Sequence, residues 1–161
     1  MDYQTIFQKL NELKIDYLVV GGLAVNLHGV PRMTYDIDLM IHLSSENVRK
    51  LVDTLKEWGY RPKIPADPMD LGNEDKRNSW IQEKEMKALN FYSESLPIGE
   101  IDLVISSPVP YDDLKKRAVE IEVGGEKIPV ISIHDLITVK VNAGRKQDLS
   151  DVEHLKMILE R

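Results

Sequence analysis

Gly21-Gly22-Leu23-Ala24-Val25-Asn26-Leu27-His28-Gly29-Val30-Pro31-Arg32-Met33-Thr34-Tyr35-Asp36-Ile37-Asp38-Leu39 is the stretch on which the reading of this chain turns. It follows Asp16-Tyr17-Leu18-Val19-Val20, which reads as a strand. Alternate residues of a strand share a face, so in the next strand Asp36 and Asp38 point one way while Ile37, Leu39 and Ile41 enter the core. Two like charges are thereby held side by side. Each carboxylate raises the proton affinity of the other, and a divalent cation between them relieves the repulsion. Gly21-Gly22 reads as a tight turn, with Leu23 to Leu27 as a short helix whose free amides face an anion. Glycine lets a phosphate approach that backbone closely. A glycine turn alone, or an Asp-x-Asp alone, has plain structural explanations; the two together read as a phosphate-and-metal site.

A third carboxylate, Asp102, lies in Gly99-Glu100-Ile101-Asp102-Leu103-Val104-Ile105. Ile101, Leu103 and Ile105 form the core face, so Asp102 projects from the other. If its strand neighbours that of Asp36, three carboxylates meet on one surface. Two-metal phosphoryl transfer needs such a set, with the ions about 3.5–4 Å apart.

A hydrophobic strand, Gly-Gly, a helical turn, Asp-hydrophobic-Asp and a later strand Asp together resemble the nucleotidyltransferase superfamily of the DNA polymerase beta type. Within it, Val20-Gly21-Gly22-Leu23-Ala24 followed by Arg32-Met33-Thr34-Tyr35-Asp36-Ile37-Asp38 is similar to the AbiEii-like bacterial nucleotidyltransferases of toxin–antitoxin and abortive-infection systems. The resemblance implies transfer of a nucleoside monophosphate from a nucleoside triphosphate to an acceptor, with Mg2+ as cofactor or Mn2+ in its place. Asp36, Asp38 and Asp102 are then the catalytic and metal-binding residues, Asp102 also activating the acceptor. Many relatives carry Gly-Ser where this chain has Gly21-Gly22, so backbone amides must hold the phosphate without a serine hydroxyl.

The C-terminal part extends the likeness. Ser132 reads as the N-cap of a helix with Asp135 in its first turn and its end near Gly144. Leu136, Val139 and Ala143 form its buried stripe, and Lys140 falls at the border, where its ammonium reaches a triphosphate or its stem covers apolar surface. Arg145 and Lys146 suit a helix C-terminus. Asp148 reads most simply as the N-cap of the last helix, whose stripe is Val152, Leu155, Ile158 and Leu159. Related enzymes carry a basic helix followed by an aspartate, which implies substrate-binding roles for Lys140 and Asp148. Arg32 and Thr34, in the loop before Asp36, supply a guanidinium and a hydroxyl for phosphate, or form an ordinary surface pair. His28 reads as a packed or solvent-facing residue. His42, His134 and His154 have no partners at zinc-ligand spacing.

The 161 residues suit one domain, 1–161, and contain no cysteine, which excludes disulfides and thiolate chemistry. A formal charge of −6 argues against broad nucleic-acid binding, although a local patch can hold an RNA end. No apolar run spans a bilayer and no secretion signal opens the chain, so the expected location is cytoplasmic, without membrane. Tyr3, Ile6, Phe7, Leu10 and Leu13 make an amphipathic helix, and Val48, Leu51, Val52, Leu55 and Trp58 another, stopped by Gly59. Residues 62–75, with Pro62, Pro65 and Pro68, read as a long loop suited to a lid or acceptor flap. Lys76 to Trp80 read as helical, Met86 to Tyr92 as a strand, and Val119–Val123 with Glu126–Ile131 as a hairpin about Gly124-Gly125.

The resulting expectation is a single-domain α/β (α+β) nucleotidyltransferase fold, a mixed sheet flanked by helices, with Gly21, Gly22, Asp36, Asp38 and Asp102 at its site. Three acceptors fit: an RNA, in particular a tRNA 3′ end; a protein hydroxyl; or a small molecule. The competing class is a catalytically inactive, antitoxin-like module that keeps the fold and acts through a protein partner.

Overall fold

Strand alternation determines the architecture, because the strands that carry Asp36, Asp38 and Asp102 on one face carry Ile37, Leu39, Ile101 and Leu103 on the other. The computed structural model describes residues 2–161. In chain order the elements are α1 (Tyr3–Glu12), β1 (Tyr17–Val20), α2 (Gly21–Leu27), β2 (Asp36–Ile41), α3 (Ser45–Glu57), β3 (Arg61–Pro62), α4 (Glu74–Lys84), β4 (Ala88–Tyr92), β5 (Glu100–Val104), α5 (Tyr111–Lys116), β6 (Val119–Val123), β7 (Glu126–Val130), α6 (Ile133–Ala143) and α7 (Lys146–Leu159). The seven strands form one sheet in the order β3-β4-β5-β2-β1-β7-β6. Its β2–β5 and β1–β7 pairs are parallel and the rest antiparallel, which bears out the expected α/β fold with a mixed sheet.

On the core face, Val19 lies opposite Leu39, Leu39 opposite Leu103, and Leu103 opposite Leu89. All four are essentially inaccessible to solvent. On the other face the same register aligns Val20, Asp38, Asp102 and Asn90 across four adjacent strands. A one-residue slip of β2 against β5 would turn Asp102 away from Asp38, so burial of Ile37 and Leu39 also fixes the carboxylate row. The Gly124-Gly125 hairpin forms as expected, both glycines having positive φ, and Gly59 ends α3 in the same conformation.

Several sequence expectations shift. The segment 62–75 is not one loop: Pro62 pairs with Phe91 in the sheet, and Pro68–Gly72 form a 3-10 turn that buries Leu71. Leu71 has the apolar surface to dock, which proline spacing concealed. β4 begins at Ala88, two residues after Met86. α2 starts at Gly21 rather than Leu23, because Gly21 takes a φ of +65° that turns the chain directly from strand into helix. Among the described residues no helix is long and apolar enough to cross a membrane.

Candidate active site

β2 and β5 supply the carboxylates. Their parallel register sets Asp36 opposite Glu100 and Asp38 opposite Asp102. Oxygen atoms of Asp36, Glu100 and Asp102 lie within 4.8 Å of one another, close enough to share a cation. Glu100 escaped the sequence reading, although it lies two residues before Asp102 and so on the same strand face. It is ion-paired with Lys63, from the segment following β3. Asn90 also escaped; its amide donates to Asp102 Oδ1 at 2.6 Å and orients that carboxylate toward Asp38.

The electrostatics follow from this crowding. Burial, the Asp102 charge and a shared hydrogen bond push the Asp38 carboxyl up to about 7, against the weaker pull of the Gly22 amide. Burial also raises the Asp102 carboxyl, while hydrogen bonds from Asn90 and Asp38 hold it down. At neutral pH the pair therefore shares a proton, and a divalent cation would replace it. The donor set is all oxygen, which suits a hard ion such as Mg2+.

Gly21 brings the start of α2 against this pair. A Cβ at Gly21 would fall 2.0 Å from Asp38 Oδ2, an impossible approach, and the φ of +65° adds strain to any side chain. Gly21→Ala is therefore expected to cost about 1–3 kcal/mol of stability and to weaken Mn2+ binding by displacing Asp38. Thermal melts and Mn2+ titrations would show it; a variant indistinguishable in both would contradict the packing.

A cationic cluster flanks the carboxylates. Arg32 Nη1 meets Asp151 Oδ2 at 2.6 Å, Lys140 Nζ meets Asp151 at 2.9 Å and Asp148 at 3.3 Å, and Arg145 Nε meets Asp148 at 2.7 Å. Three cations against two carboxylates leave one net positive charge beside the Gly21-Gly22 amides. Lys140 lies inside the buried stripe of α6, not at its border, while Ala143 is exposed. The two buried aspartates of α7 make that position tolerable for an ammonium. Asp148 is the third residue of α7, not its N-cap: Arg145 holds the cap position, and its backbone N–H donates to Asp148 Oδ2 at 3.2 Å. Arg145 thus serves the start of α7, while Gly144 closes α6. Asp151 replaces Leu159 on the buried face of α7; Leu159 is exposed. Thr34 is half-buried, its hydroxyl donating to the Asp36 carbonyl at 3.3 Å. His28 is occupied structurally, with Nε2 2.7 Å from the Ile131 carbonyl.

Two clefts meet at Asp38. One, of about 340 Å3, is lined by Gly21, Gly22, Arg32, Thr34, Asp36, Asp38, Lys140, Arg145 and Asp148, among others; it thus gathers every site residue expected from the sequence except Asp102. The other, of about 320 Å3, holds Asp102 and Asn90 and runs under α6.

The family comparison agrees with this geometry. Residues 2–160 match the family described as "nucleotidyltransferase of unknown function (DUF6036)", and the chain belongs to that family. No curated protein sequence matches it. Among solved structures, the lincomycin-bound lincosamide antibiotic adenylyltransferase LnuA is 19% identical, with a TM-score of 0.65 over 96% of this chain and 94% of that one. ANT(2")-Ia in complex with adenylyl-2"-tobramycin is 13% identical, with a TM-score of 0.60 over 97% and 86%. An antigenic nucleotidyltransferase-like protein of Paracoccidioides brasiliensis is 18% identical, with a TM-score of 0.54 over 97% and 72%. These likenesses show a shared fold.

Proposed function

We propose that this member of a nucleotidyltransferase family acts as one domain, residues 1–161, that moves a nucleoside monophosphate from a nucleoside triphosphate to an acceptor hydroxyl. The observation that carries the reading is the β2–β5 register, which puts Asp38 against Asp102 and Asp36 two residues away, beneath the Gly21-Gly22 start of a helix. Asp36, Asp38 and Asp102 would hold Mg2+, or Mn2+ in its place, and such ions supply charge stabilisation at the attacking and leaving oxygens. Gly21 and Gly22 amides receive the phosphate chain, and the net positive charge of the Arg32, Lys140, Arg145, Asp148 and Asp151 network offsets its negative charge. Thr34 borders the same cleft. Asp102 takes the acceptor proton, the acceptor oxygen bonds to the α-phosphorus, and the bond to the β-phosphate breaks as pyrophosphate leaves. Asn90 keeps Asp102 aimed at that oxygen. Most of the acceleration comes from positioning and charge compensation.

α-Labelled nucleoside triphosphate with Mg2+, wild-type protein and Asp36→Asn tests the reading. Transfer and Mg2+-dependent nucleotide binding should disappear in the variant with its fold intact. Equal transfer by both would reject the metal assignment.

The Asp38 proton predicts a pH dependence. Below about 7 a cation must displace that proton, so affinity should rise up to about tenfold per pH unit and level off above 7. Mn2+ titrations followed by electron paramagnetic resonance between pH 5.5 and 8.5 would measure this. An affinity flat below 7 would refute the shared proton.

The AbiEii-like resemblance favours a second setting, a toxin–antitoxin system with RNA or protein as acceptor, which the same labelling would distinguish from transfer to a small molecule. The non-catalytic, antitoxin-like module would bind a protein partner without nucleotide; failure to bind ATP and Mg2+ would favour it.

A further inference from the structure

We infer that the cleft under α6 is the acceptor site and that its occupant is a small hydroxyl-bearing molecule with a largely apolar body, rather than an RNA end or a protein chain. The inference rests on the nucleotidyltransfer reading above and deepens it.

The assignment of the two clefts comes from which carboxylate each contains. Asp36 lines only the cleft with Gly22, Arg32 and Thr34, and Asp102 lines only the one under α6; Asp38, Gly21, Lys140, Arg145 and Asp148 border both. In-line displacement needs the attacking oxygen and the departing pyrophosphate on opposite sides of the α-phosphorus. Gly22 and the guanidinium of Arg32, which line the first cleft and not the second, put the phosphates on the Asp36 side. The attacking oxygen then arrives from the Asp102 side, inside the second cleft.

The walls of that cleft select its occupant. Beyond the Asp38–Asp102–Asn90 row, the same sheet face continues into Met40, Val104 and Ala88, with Ala88 directly opposite Val104. From above, α6 contributes Leu136, Val139 and Ala143. The volume, about 320 Å3, is at the lower end of the range for small-molecule sites. An RNA end would bring further phosphates into this apolar slot, where Lys87 is the one cation away from the cluster at Asp148. A polycationic acceptor meets the opposite deficiency, since the distal wall of Lys87, Ser106 and Ser107 carries no carboxylate. A neutral alcohol with an apolar body meets neither penalty.

The test uses the full chain, wild type and Ala143→Trp, which fills the cleft from its exposed helical side without altering any carboxylate. With N-phenyl-1-naphthylamine as a neutral apolar probe, fluorescence enhancement should persist at saturating ATP and Mg2+ and fall at least about fivefold in Ala143→Trp. Displacement of the probe by ATP would make this the nucleobase pocket and overturn the assignment. In a second arm, α-labelled ATP is incubated with a cell lysate separated into RNA, protein and an ultrafiltrate below about 1 kDa. Label should enter a new species of the ultrafiltrate that is chromatographically distinct from ATP, ADP and AMP and absent without the added protein, and that species should be lost with Ala143→Trp or with Val139→Trp while ATP binding is retained. New label in RNA or protein that depends on the added protein, or no new labelled species despite ATP binding, overturns the acceptor class. Failure of the wild type to bind ATP and Mg2+ overturns the underlying nucleotidyltransfer reading instead, and is distinguished by that binding measurement alone.

Discussion

Asp38→Asn should lower the transfer rate by at least about 10³-fold while making the metal-free protein more stable at pH 8. The rate loss corresponds to about 4 kcal/mol of transition-state stabilisation, within the several kcal/mol that a correctly held cation supplies. The gain in stability comes from the same side chain. Its carboxyl is raised from 3.8 to about 7 in the fold by burial and by Asp102, so the native state holds the proton more tightly than the unfolded chain. Native stability therefore falls as pH rises from about 4 to about 7, and asparagine, carrying no charge, escapes that loss. The linkage of such a shift amounts to about 4 kcal/mol, so the gain should be up to about that size above pH 7 and vanish near pH 4, with urea unfolding at both pH values as the check. Added Mg2+ should narrow the difference by stabilising only the wild type. A variant that is inactive and also less stable at pH 8 would mean that Asp38 supports the fold, and that the apparent metal site is ordinary strand packing.

The carboxylate set was legible in the sequence to the extent that strand alternation carries it. Asp36 and Asp38 share a face because Ile37 and Leu39 are buried, and the same alternation gives Asp102. What alternation does not carry is adjacency: β2 ends at Ile41 and β5 begins only at Glu100, and only the formed sheet shows Asp38 directly opposite Asp102. Glu100 and Asn90 belong to the same class of omission. Glu100 was within reach, since Glu100-Ile101-Asp102 repeats the Asp36-Ile37-Asp38 pattern on the neighbouring strand. Asn90 was not, because its relevance depends on the register between β4 and β5. Gly21 was recognised as a turn former, yet its tightest constraint is the contact with Asp38, seventeen residues later. In the C-terminal helices, polarity misled: a lysine and two aspartates look like surface residues until they neutralise one another inside.

That buried network carries the other large expected effect. Lys140→Met keeps most of the side-chain volume but leaves Asp148 and Asp151, both 2% exposed, without their shared ammonium. Removing one partner from a buried ion pair costs about 3–5 kcal/mol, because the remaining charges stay desolvated. Arg32 and Arg145 still reach one aspartate each, which places this variant toward the lower part of that range. The pH dependence distinguishes this from a simple packing defect. Burial pushes the Asp148 carboxyl up, but hydrogen bonds from Arg145 and Lys140, with the Lys140 charge, outweigh it and hold the group below its usual 3.8. Its contribution to stability is therefore present above about pH 4 and lost as pH falls through the native value. Wild type and Lys140→Met should accordingly differ most in urea unfolding at pH 7 and converge as Asp148 protonates below pH 4. A defect of equal size at pH 7 and pH 3 would assign the loss to packing. Asp151→Asn in the Lys140→Met background should recover part of the stability at pH 7, since it removes one stranded charge. It would not restore nucleotide affinity, because the cleft would still lack the lysine that joins α6 to α7 beside Gly21.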